Sequence, residues 1–344
     1  MKLKLEKVQQ ITLGAVQIKE ENGRFSFHRF TAEQENLYRI ANEDFYNKTK
    51  ATSGVKLFFK TDSQNLFIKV QTSPASSRTY FSVDVFVNGE PLGYIDNFSG
   101  VNLERDYTGQ AFPLGEFSRK FPLGEGEKTV LVHLPWSVKT EIEEISVDDA
   151  AYVEGIKPQK KLIAFGDSIT HGYDALRPSN RYVAKLAERL EAEEFNKGIG
   201  AERFFPPLAT LKDPISPDYI TVAYGTNDWS TIDAATFRVN CKAFYENLSK
   251  KYPDAKIFAI TPIWRKDHKE GKNFGPFETV EKYIREAVSE FQNVTVLSGF
   301  DLIPHDVRFF ADYGLHPNEE GFALLAKNVY TILEQERQGS RNRI

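Results

Sequence analysis

Cysteine is almost absent from this 344-residue sequence, which contains only Cys241. A single thiol cannot form an internal disulfide, and the cysteine-based zinc motifs are missing as well. A basic surplus is also lacking, because 44 Lys and Arg residues stand against 48 Asp and Glu residues, for a formal net charge of −4. This balance argues against nucleic acid as a partner, since phosphate backbones attract basic surfaces.

Long hydrophobic runs are lacking too. The first part of the sequence scatters charges among short apolar pairs, whereas a signal peptide needs an unbroken apolar region of about 7–15 residues. No uncharged apolar run reaches the length of about 18 residues that is typical of a transmembrane helix. We therefore expect a cytoplasmic protein without a membrane partner.

The first half of the sequence has the period of β-strands. It contains short segments rich in β-branched and aromatic residues, in which apolar and polar residues mostly alternate, at residues 54–60, 65–70 and 80–87. Turn-forming residues separate these segments. We predict an all-β accessory domain at residues 1–155, a sandwich or jelly roll whose topology the sequence leaves open.

The second half alternates short apolar strands with helices of about 10–15 residues. The predicted strands include residues 161–165, 219–224, 256–260 and 294–297. This alternation indicates the α/β class, a three-layer α/β/α fold with a parallel sheet, at residues 156–338. Such sheets bind ligands at the carboxyl ends of their strands. Residues 339–344 are predicted to be a frayed tail.

The first of these strands ends in Gly166, Asp167 and Ser168. A serine in a tight turn after a strand can expose its hydroxyl as a nucleophile. The start of a capped helix is an equally good interpretation of the same residues. The nucleophile elbow of α/β-hydrolases does not fit, because Thr170 stands where that motif has its second glycine.

A second loop contains Asn196, Gly198 and Gly200. Two glycines at this spacing allow a backbone N–H to point into a cleft, and a strand-to-helix turn that needs glycine is the alternative interpretation. A dinucleotide-binding motif would have a third glycine where Arg203 stands, so no nucleotide cofactor is predicted.

Two further loops carry polar side chains. The third contains Asn227, whose amide can donate a hydrogen bond, and Asp228, which can tie the loop to its neighbours. The fourth contains Asp312 and His316, just before the last predicted helix. A lone histidine is more often a structural hydrogen-bonding residue than a base. No histidines have metal-ligand spacing, so no metal site is predicted.

The order and placement of these loops resemble the four blocks of the SGNH (GDSL-type) hydrolase superfamily. The matching motifs are Gly-Asp-Ser, Asn-x-Gly-x-Gly, Gly-x-Asn-Asp and His-Pro, within about residues 160–335. The β-rich half is similar to the N-terminal domain of a two-domain branch that includes carbohydrate esterases. The resemblance implies a flavodoxin-like fold for residues 156–338 and a serine esterase that uses no cofactor.

The same resemblance implies a role for each motif. Ser168 would be the nucleophile and His316 the general base. The oxyanion hole would consist of the Ser168 N–H, a backbone N–H of the second loop and the side chain of Asn227. Asp167 and Asp228 would support the site.

Two positions depart from the family pattern. The family usually has its acid three residues before the histidine, where this sequence has Tyr313, and Asp312 lies one residue earlier. We expect a bulge that lets Asp312 reach His316, and a backbone carbonyl that orients the ring is the alternative. In the second loop, a gapless alignment places Ala201 on the family's donor glycine, with Gly200 beside it, and either backbone N–H could donate.

Trp229 and Trp264 are predicted to border the cleft, although packing elsewhere is an equal alternative for both.

No long apolar lid segment is evident, so we expect a short acyl group, acetyl above all, on a carbohydrate or similar small alcohol. The alternatives are a lipid-directed acylhydrolase, such as a lysophospholipase or thioesterase, and a catalytically idle carbohydrate-binding protein. The sequence leaves open whether the β domain binds sugar, covers the cleft or forms a homo-oligomer.

Overall fold

The computed structural model describes residues 1–101, 103 and 107–341, with the backbone alone for residues 337–341. The chain forms two compact units. The front unit comprises Met1–Gln159 and two short segments, Leu176–Ser179 and Glu193–Phe195. The second unit comprises the other described residues. The long segment of the front unit ends near the boundary predicted at residues 155/156.

Two antiparallel sheets build the front unit. Its strands are β1 (Thr12–Leu13), β2 (Gln17–Glu21), β3 (Arg24–His28), β4 (Lys56–Thr61), β5 (Asn65–Pro74), β6 (Ser82–Val87), β7 (Glu90–Asp96), β8 (Glu116–Pro122), β9 (Lys128–His133), β10 (Val138–Val147) and β11 (Val153–Gly155). One sheet has the strand order β1-β4-β9-β6-β7, with β11 also paired to β4. The other has the order β2-β3-β10-β5-β8.

The two sheets of the front unit share one hydrophobic core. In β5, the buried residues Leu66, Ile68 and Val70 alternate with partly exposed ones, so one face of the strand is apolar. These side chains belong to the same buried cluster as Leu57 and Val85 of the other sheet. Two antiparallel sheets around one core form a β-sandwich, which confirms the architecture predicted for this half.

The front unit also contains helices that the sequence analysis did not predict. They are α1 (Leu5–Ile11), α2 (Ala32–Ala41) and α3 (Glu43–Thr49). The start of α2 has a capping box formed by Thr31 and Gln34, and the Asn42 side chain caps α3. The helices have only 7 to 10 residues. Their apolar periodicity therefore covers too few turns to stand out from the surrounding strand pattern.

The second unit is built around a five-stranded sheet. Its strands are β12 (Lys160–Gly166), β13 (Ala192–Gly198), β14 (Tyr219–Ala223), β15 (Lys256–Ile260) and β16 (Val294–Leu297), in the order β13-β12-β14-β15-β16. Strands β12, β14, β15 and β16 pair in parallel. Its helices are α4 (Ser168–His171), α5 (Tyr182–Arg189), α6 (Pro206–Thr210), α7 (Thr226–Thr231), α8 (Ala234–Lys251), α9 (Thr279–Val288) and α10 (Glu319–Arg341).

This strand order is the flavodoxin-like order and confirms the predicted fold class. The residues of β12 and β14 are mostly buried, as expected for central strands that helices cover on both faces. The crossover direction reverses between these two strands. The loops that follow them therefore open into one crevice at the carboxyl edge of the sheet.

Helix α10 closes the second unit. Its apolar residues Phe322, Leu325 and Val329 are buried in the core, at the helical spacing visible in the sequence. The helix includes residues 339–341 of the predicted tail, and residues 342–344 lie outside the described residues. Across the described chain, we find no helix with the length and apolar character that a membrane span requires.

Candidate active site

The loop after β12 places Ser168 at the start of a short helix. Gly166 is required because a Cβ there would collide with the Thr170 side chain. The Asp167 carboxylate accepts a hydrogen bond from the Ile169 N–H at 2.9 Å and caps α4. Ser168 is the first residue of this helix, so no earlier turn of the helix supplies an acceptor for its N–H.

His316 is hydrogen-bonded to Ser168. Its Nε2 lies 2.8 Å from the Ser168 Oγ, although the two residues are far apart in sequence. Both are largely buried, with 5% and 8% of their surfaces exposed for Ser168 and His316 respectively. A nucleophile and a base within hydrogen-bond reach are the first geometric requirement of covalent acyl transfer.

Asp312 contacts the other nitrogen of the ring. The Asp312 Oδ2 lies 2.7 Å from the His316 Nδ1. Its Oδ1 accepts hydrogen bonds from the backbone N–H groups of Leu315 and His316, both at 2.9 Å. Tyr313 has a left-handed φ of +64°, and Gly314 a φ of +149°. This bulge accommodates the extra residue that separates the acid from the histidine.

A second carboxylate, which the sequence analysis missed, also contacts this ring. The Asp174 Oδ2 lies 3.0 Å from the His316 Nδ1, and Asp174 is fully buried. It follows Gly172, the left-handed C-cap of α4, and itself has a φ of +70°. Asp is one of the few non-glycine residues that adopt this conformation readily. That preference was the only sequence signal, and no motif spacing accompanies it.

The two carboxylates change the titration of His316. Burial alone would lower the pKa of His316, but the hydrogen bonds and charges of Asp174 and Asp312 outweigh it and raise the pKa to about 9. Burial would raise the pKa of Asp312, but the hydrogen bond and charge of His316 and the backbone N–H groups outweigh it and lower the pKa. The two carboxylates therefore favour the protonated form of the ring.

Among the described residues, this cluster also has the spacing of a possible metal site. One ligand-type atom from each of Asp174, Asp312 and His316 lies within 4.8 Å of the others. Nδ1, however, already lies at hydrogen-bond distance from both carboxylates, and Nε2 is hydrogen-bonded to Ser168. We therefore assign the cluster to hydrogen bonding of a protonated Nδ1.

The second loop approaches α4 closely. The Asn196 side chain donates to the Thr170 carbonyl at 2.8 Å, and a Cβ on Gly198 would collide with the backbone of Thr170 and His171. Beyond Gly198 the loop reaches Ala201, which is exposed and has a left-handed φ of +68°. Among the described residues, no acceptor is found for the Ala201 N–H.

Gly200 has a different reason to be glycine. A Cβ there would lie 2.5–2.7 Å from the ring of Tyr173, whose centroid is 5.6 Å from that of His316. The two candidate donors of the second loop thus differ: Gly200 makes room for Tyr173, whereas Ala201 lies at the exposed turn.

The third loop places Asn227 beside the second. The Asn227 Nδ2 donates to the Glu202 carbonyl at 3.0 Å. Because an amide nitrogen carries two hydrogens, a second donor remains on Asn227 for another acceptor. Asn227 is partly exposed. It can therefore both tie the two loops together and donate to a bound group.

Asp228 and Asp167 are buried carboxylates below these loops. Burial raises the pKa of Asp228 to about 7, and the charge of Asp167 adds to the effect. Burial also raises the pKa of Asp167 to about 6. The Asp228 Oδ1 accepts a hydrogen bond from the Phe204 N–H at 3.2 Å. These contacts are consistent with the supporting role expected for both residues.

Both tryptophans of the predicted cleft are engaged in packing. Trp229 is completely buried, donates its Nε1–H to the Gly275 carbonyl at 2.8 Å and packs edge-on against Phe277. Trp264 is 7% exposed and stacks on His305 with ring centroids 5.8 Å apart. An indole with no exposed face offers no surface to a sugar or an acyl chain, so Trp229 does not border a cleft.

Comparison with known proteins identifies a family that part of the chain resembles. Residues 164–324 match the GDSL-like lipase/acylhydrolase family, and this range contains the serine, the histidine and both carboxylates. A search of curated proteins finds no match.

Several solved structures share the fold of the whole chain. A salicylyl-acyltransferase, SsfX3 from a tetracycline biosynthetic pathway, is 21% identical, with a TM-score of 0.77 and coverage of 92% of each chain. A family two carbohydrate esterase from Clostridium thermocellum, in complex with cellohexaose, is 17% identical, with a TM-score of 0.63 and coverage of 84% of this chain and 94% of that one.

An acetyl xylan esterase, Est2A from the rumen bacterium Butyrivibrio proteoclasticus, is 17% identical, with a TM-score of 0.57 and coverage of 83% of this chain and 90% of that one. At these identities the likeness shows the shared fold, and the family match covers most of the second unit. Within this range the second unit is similar to a GDSL-like lipase/acylhydrolase domain, and this match supports a carboxylic ester hydrolase.

Proposed function

We propose that the protein is a serine esterase that forms an acyl-enzyme on Ser168, with His316 as general base and Asp312 as the orienting acid. One observation carries the proposal. The His316 ring lies between the Ser168 hydroxyl, 2.8 Å from Nε2, and the Asp312 carboxylate, 2.7 Å from Nδ1. A carboxylate on Nδ1 fixes the tautomer in which Nε2 accepts a proton.

The reaction has two halves. In the first, the Ser168 Oγ attacks the ester carbonyl while its proton moves to the His316 Nε2. The tetrahedral intermediate collapses as that proton passes to the leaving alcohol, and the acyl group remains on Ser168. In the second half, water attacks the acyl group and gives a proton to Nε2, and Ser168 regains it as the carboxylic acid leaves.

The developing oxyanion requires donors that are already in place. The Ser168 N–H at the helix start, the Ala201 N–H at the exposed turn and the second hydrogen of the Asn227 amide are the donors we assign. We choose Ala201 over Gly200 because no acceptor is found for its N–H among the described residues and because the close approach of the Tyr173 ring already explains the glycine at position 200.

We further propose that the substrate is a short-chain ester, acetyl above all, of a carbohydrate or a similar small alcohol. Two proteins of the same fold support this choice, since one is named a family two carbohydrate esterase and the other an acetyl xylan esterase. The choice of substrate is by analogy of fold.

The test is a panel of p-nitrophenyl esters from acetate through butyrate and octanoate to palmitate, together with acetylated xylo- and cello-oligosaccharides. We expect kcat/KM to fall by about tenfold or more from acetate to butyrate, since each methylene that an acetyl-sized site cannot accommodate costs about 10-fold or more. Release of acetate from the oligosaccharides is the second readout. Ser168→Ala is the control for uncatalysed hydrolysis.

Two outcomes would overturn this assignment. A rise of kcat/KM towards octanoate or palmitate would indicate a lipid-directed acylhydrolase. Failure of a fluorophosphonate probe to label Ser168 in the folded protein, with oligosaccharide binding retained, would indicate an idle carbohydrate-binding protein.

A further inference from the structure

The His316 Nδ1 has two carboxylate neighbours where one is sufficient for a triad. Asp312 Oδ2 lies at 2.7 Å and Asp174 Oδ2 at 3.0 Å. Resting on the proposed function, we propose that Asp174 is a second positioning residue that shares with Asp312 the orientation of His316. The two carboxylates reach one N–H from different parts of the chain.

The attachments of these carboxylates are independent. Asp312 belongs to the loop before α10, where backbone N–H groups of Leu315 and His316 hold its Oδ1. Asp174 follows α4, the helix that begins with Ser168, beyond its C-cap Gly172. The loop that contains the histidine and the turn that follows the serine's helix thus each supply an acceptor to the same imidazole. Loss of one acceptor leaves the other to hold the tautomer.

The burial of Asp174 supports an electrostatic role. The residue is fully buried, and a buried carboxylate is costly unless an opposite charge or fixed donors compensate it. The imidazolium of His316, formed each time Ser168 gives up its proton, is such a charge. Asp174 therefore stabilises the same charged state as Asp312.

Several groups face His316 besides these carboxylates. They are Ser168 on α4, the ring of Tyr173 at 5.6 Å between centroids, and the charge of Asp167, which interacts with His316. Two carboxylates in contact with one ring dominate this environment and raise the pKa of His316 to about 9. The base must be neutral to accept a proton from Ser168, so we expect kcat/KM to rise through alkaline pH.

The experiment compares Asp174→Asn, Asp312→Asn and the double variant. Asn has the size of Asp and also adopts a left-handed backbone, so the turn at position 174 is preserved. Each single variant is expected to lose about 10- to 30-fold in kcat at its optimum, and the double variant about 10⁴-fold, the typical cost when the orienting acid is lost. The double loss should exceed the product of the single losses.

The pH dependence of kcat/KM tests the role of Asp174, because substitution of a residue with a purely structural role would leave it unchanged. Removing the Asp174 charge should shift the acid limb of kcat/KM to lower pH by about one unit. Asp301→Asn is the matched control, since Asp301 also pairs with a histidine, its Oδ1 lying 3.1 Å from the His305 Nε2, but at the surface. We expect that variant to leave the limb unchanged.

An unchanged acid limb in Asp174→Asn, together with a double variant no worse than Asp312→Asn, would overturn the inference. If Asp174→Asn fails to fold, Asp174→Gly removes the same carboxylate while fitting the left-handed φ of +70°. The expectations for the limb and for the double variant are the same.

A second measurement separates this inference from the proposed function. The pKa of the His316 ring can be followed by NMR titration in the wild type and in Asp174→Asn, with His316→Gln to assign the resonance. A fall of about one unit in Asp174→Asn supports the inference even if the wild type neither hydrolyses esters nor reacts with a fluorophosphonate. An unchanged ring pKa overturns the inference even in an active esterase.

Discussion

The two units both bury carboxylates, but they satisfy them with different partners. In the front unit, Asp84 is fully buried. It accepts hydrogen bonds at 2.6 Å from the hydroxyls of Ser82 and Ser179, and Arg177 lies 3.8 Å away. In the second unit, Asp312 and Asp174 face the imidazole of His316.

The difference lies in whether the donor can lose its proton. Hydroxyl and guanidinium donors keep their protons at physiological pH, so the Asp84 cluster is a fixed link in the fold. An imidazole changes charge within the reaction, and its other nitrogen contacts the hydroxyl of Ser168. A buried carboxylate therefore supports structure or chemistry according to the titration of its partner.

The largest contrast is expected from two serine substitutions. Ser168→Ala should lower kcat by about 10³-fold or more with little change in the free energy of unfolding, since it removes the nucleophile. Ser82→Ala should destabilise the protein by about 1–3 kcal/mol because it leaves a buried acceptor on Asp84 less satisfied. Its kcat per folded molecule should match the wild type. Esterase assays and denaturant unfolding measure both effects, and equal losses of activity would break the contrast.

Asparagine substitutions give the next largest effect. Asn227→Ala should lower kcat by about 100- to 1000-fold with a small change in KM, because an oxyanion donor acts in the transition state. Asn328→Ala is the matched control, since its Nδ2 also donates to a backbone carbonyl, that of Leu302 at 2.9 Å. We expect Asn328→Ala to change the free energy of unfolding and to leave kcat unchanged. A pure KM effect in Asn227→Ala would count against the oxyanion role.

The smallest effect concerns two alanines with the same backbone conformation. Ala150 in the front unit and Ala201 in the second are both exposed, with φ of +67° and +68°. Glycine at either position removes the energetic penalty of about 1–2 kcal/mol for a left-handed backbone, but it also loses more backbone entropy on folding. The free energy of unfolding of each variant should therefore rise by about 1 kcal/mol or less.

Only Ala201→Gly is expected to alter kcat, by a few-fold at most, because a more mobile turn positions its N–H less well. Thermal unfolding and ester hydrolysis measure the two quantities. An equal change of kcat in Ala150→Gly would show that backbone flexibility acts on the enzyme in general and not on the donor.

The sequence predicted the layout of the second unit well because strand-end loops in a parallel sheet have a defined position. The motifs around Ser168, Asn227 and His316 follow strands or precede a helix, and the order of the strands then determines where these loops meet. Asp174 could not be predicted in this way, since its contact with His316 depends on the left-handed turn after α4 and on no spacing.

The sequence also did not reveal which side chains beside the site are buried. Trp229 immediately follows the polar pair Asn227 and Asp228, and that position alone suggested a cleft residue. Its indole instead packs on Phe277 and bonds to the Gly275 carbonyl. Whether an aromatic residue beside a site faces the ligand or the interior depends on the helix phase of α7, which a short loop motif does not reveal.

The left-handed Tyr313 has a consequence for recognising such proteins. One residue in this conformation shortens the path between Asp312 and His316 enough for the carboxylate to reach Nδ1 at 2.7 Å. The distance along the chain between acid and base is thus free to vary by an insertion, provided that the inserted position tolerates a positive φ. A motif search with a rigid gap would overlook chains of this kind, whereas one that allows a variable gap before His-Pro would retrieve them.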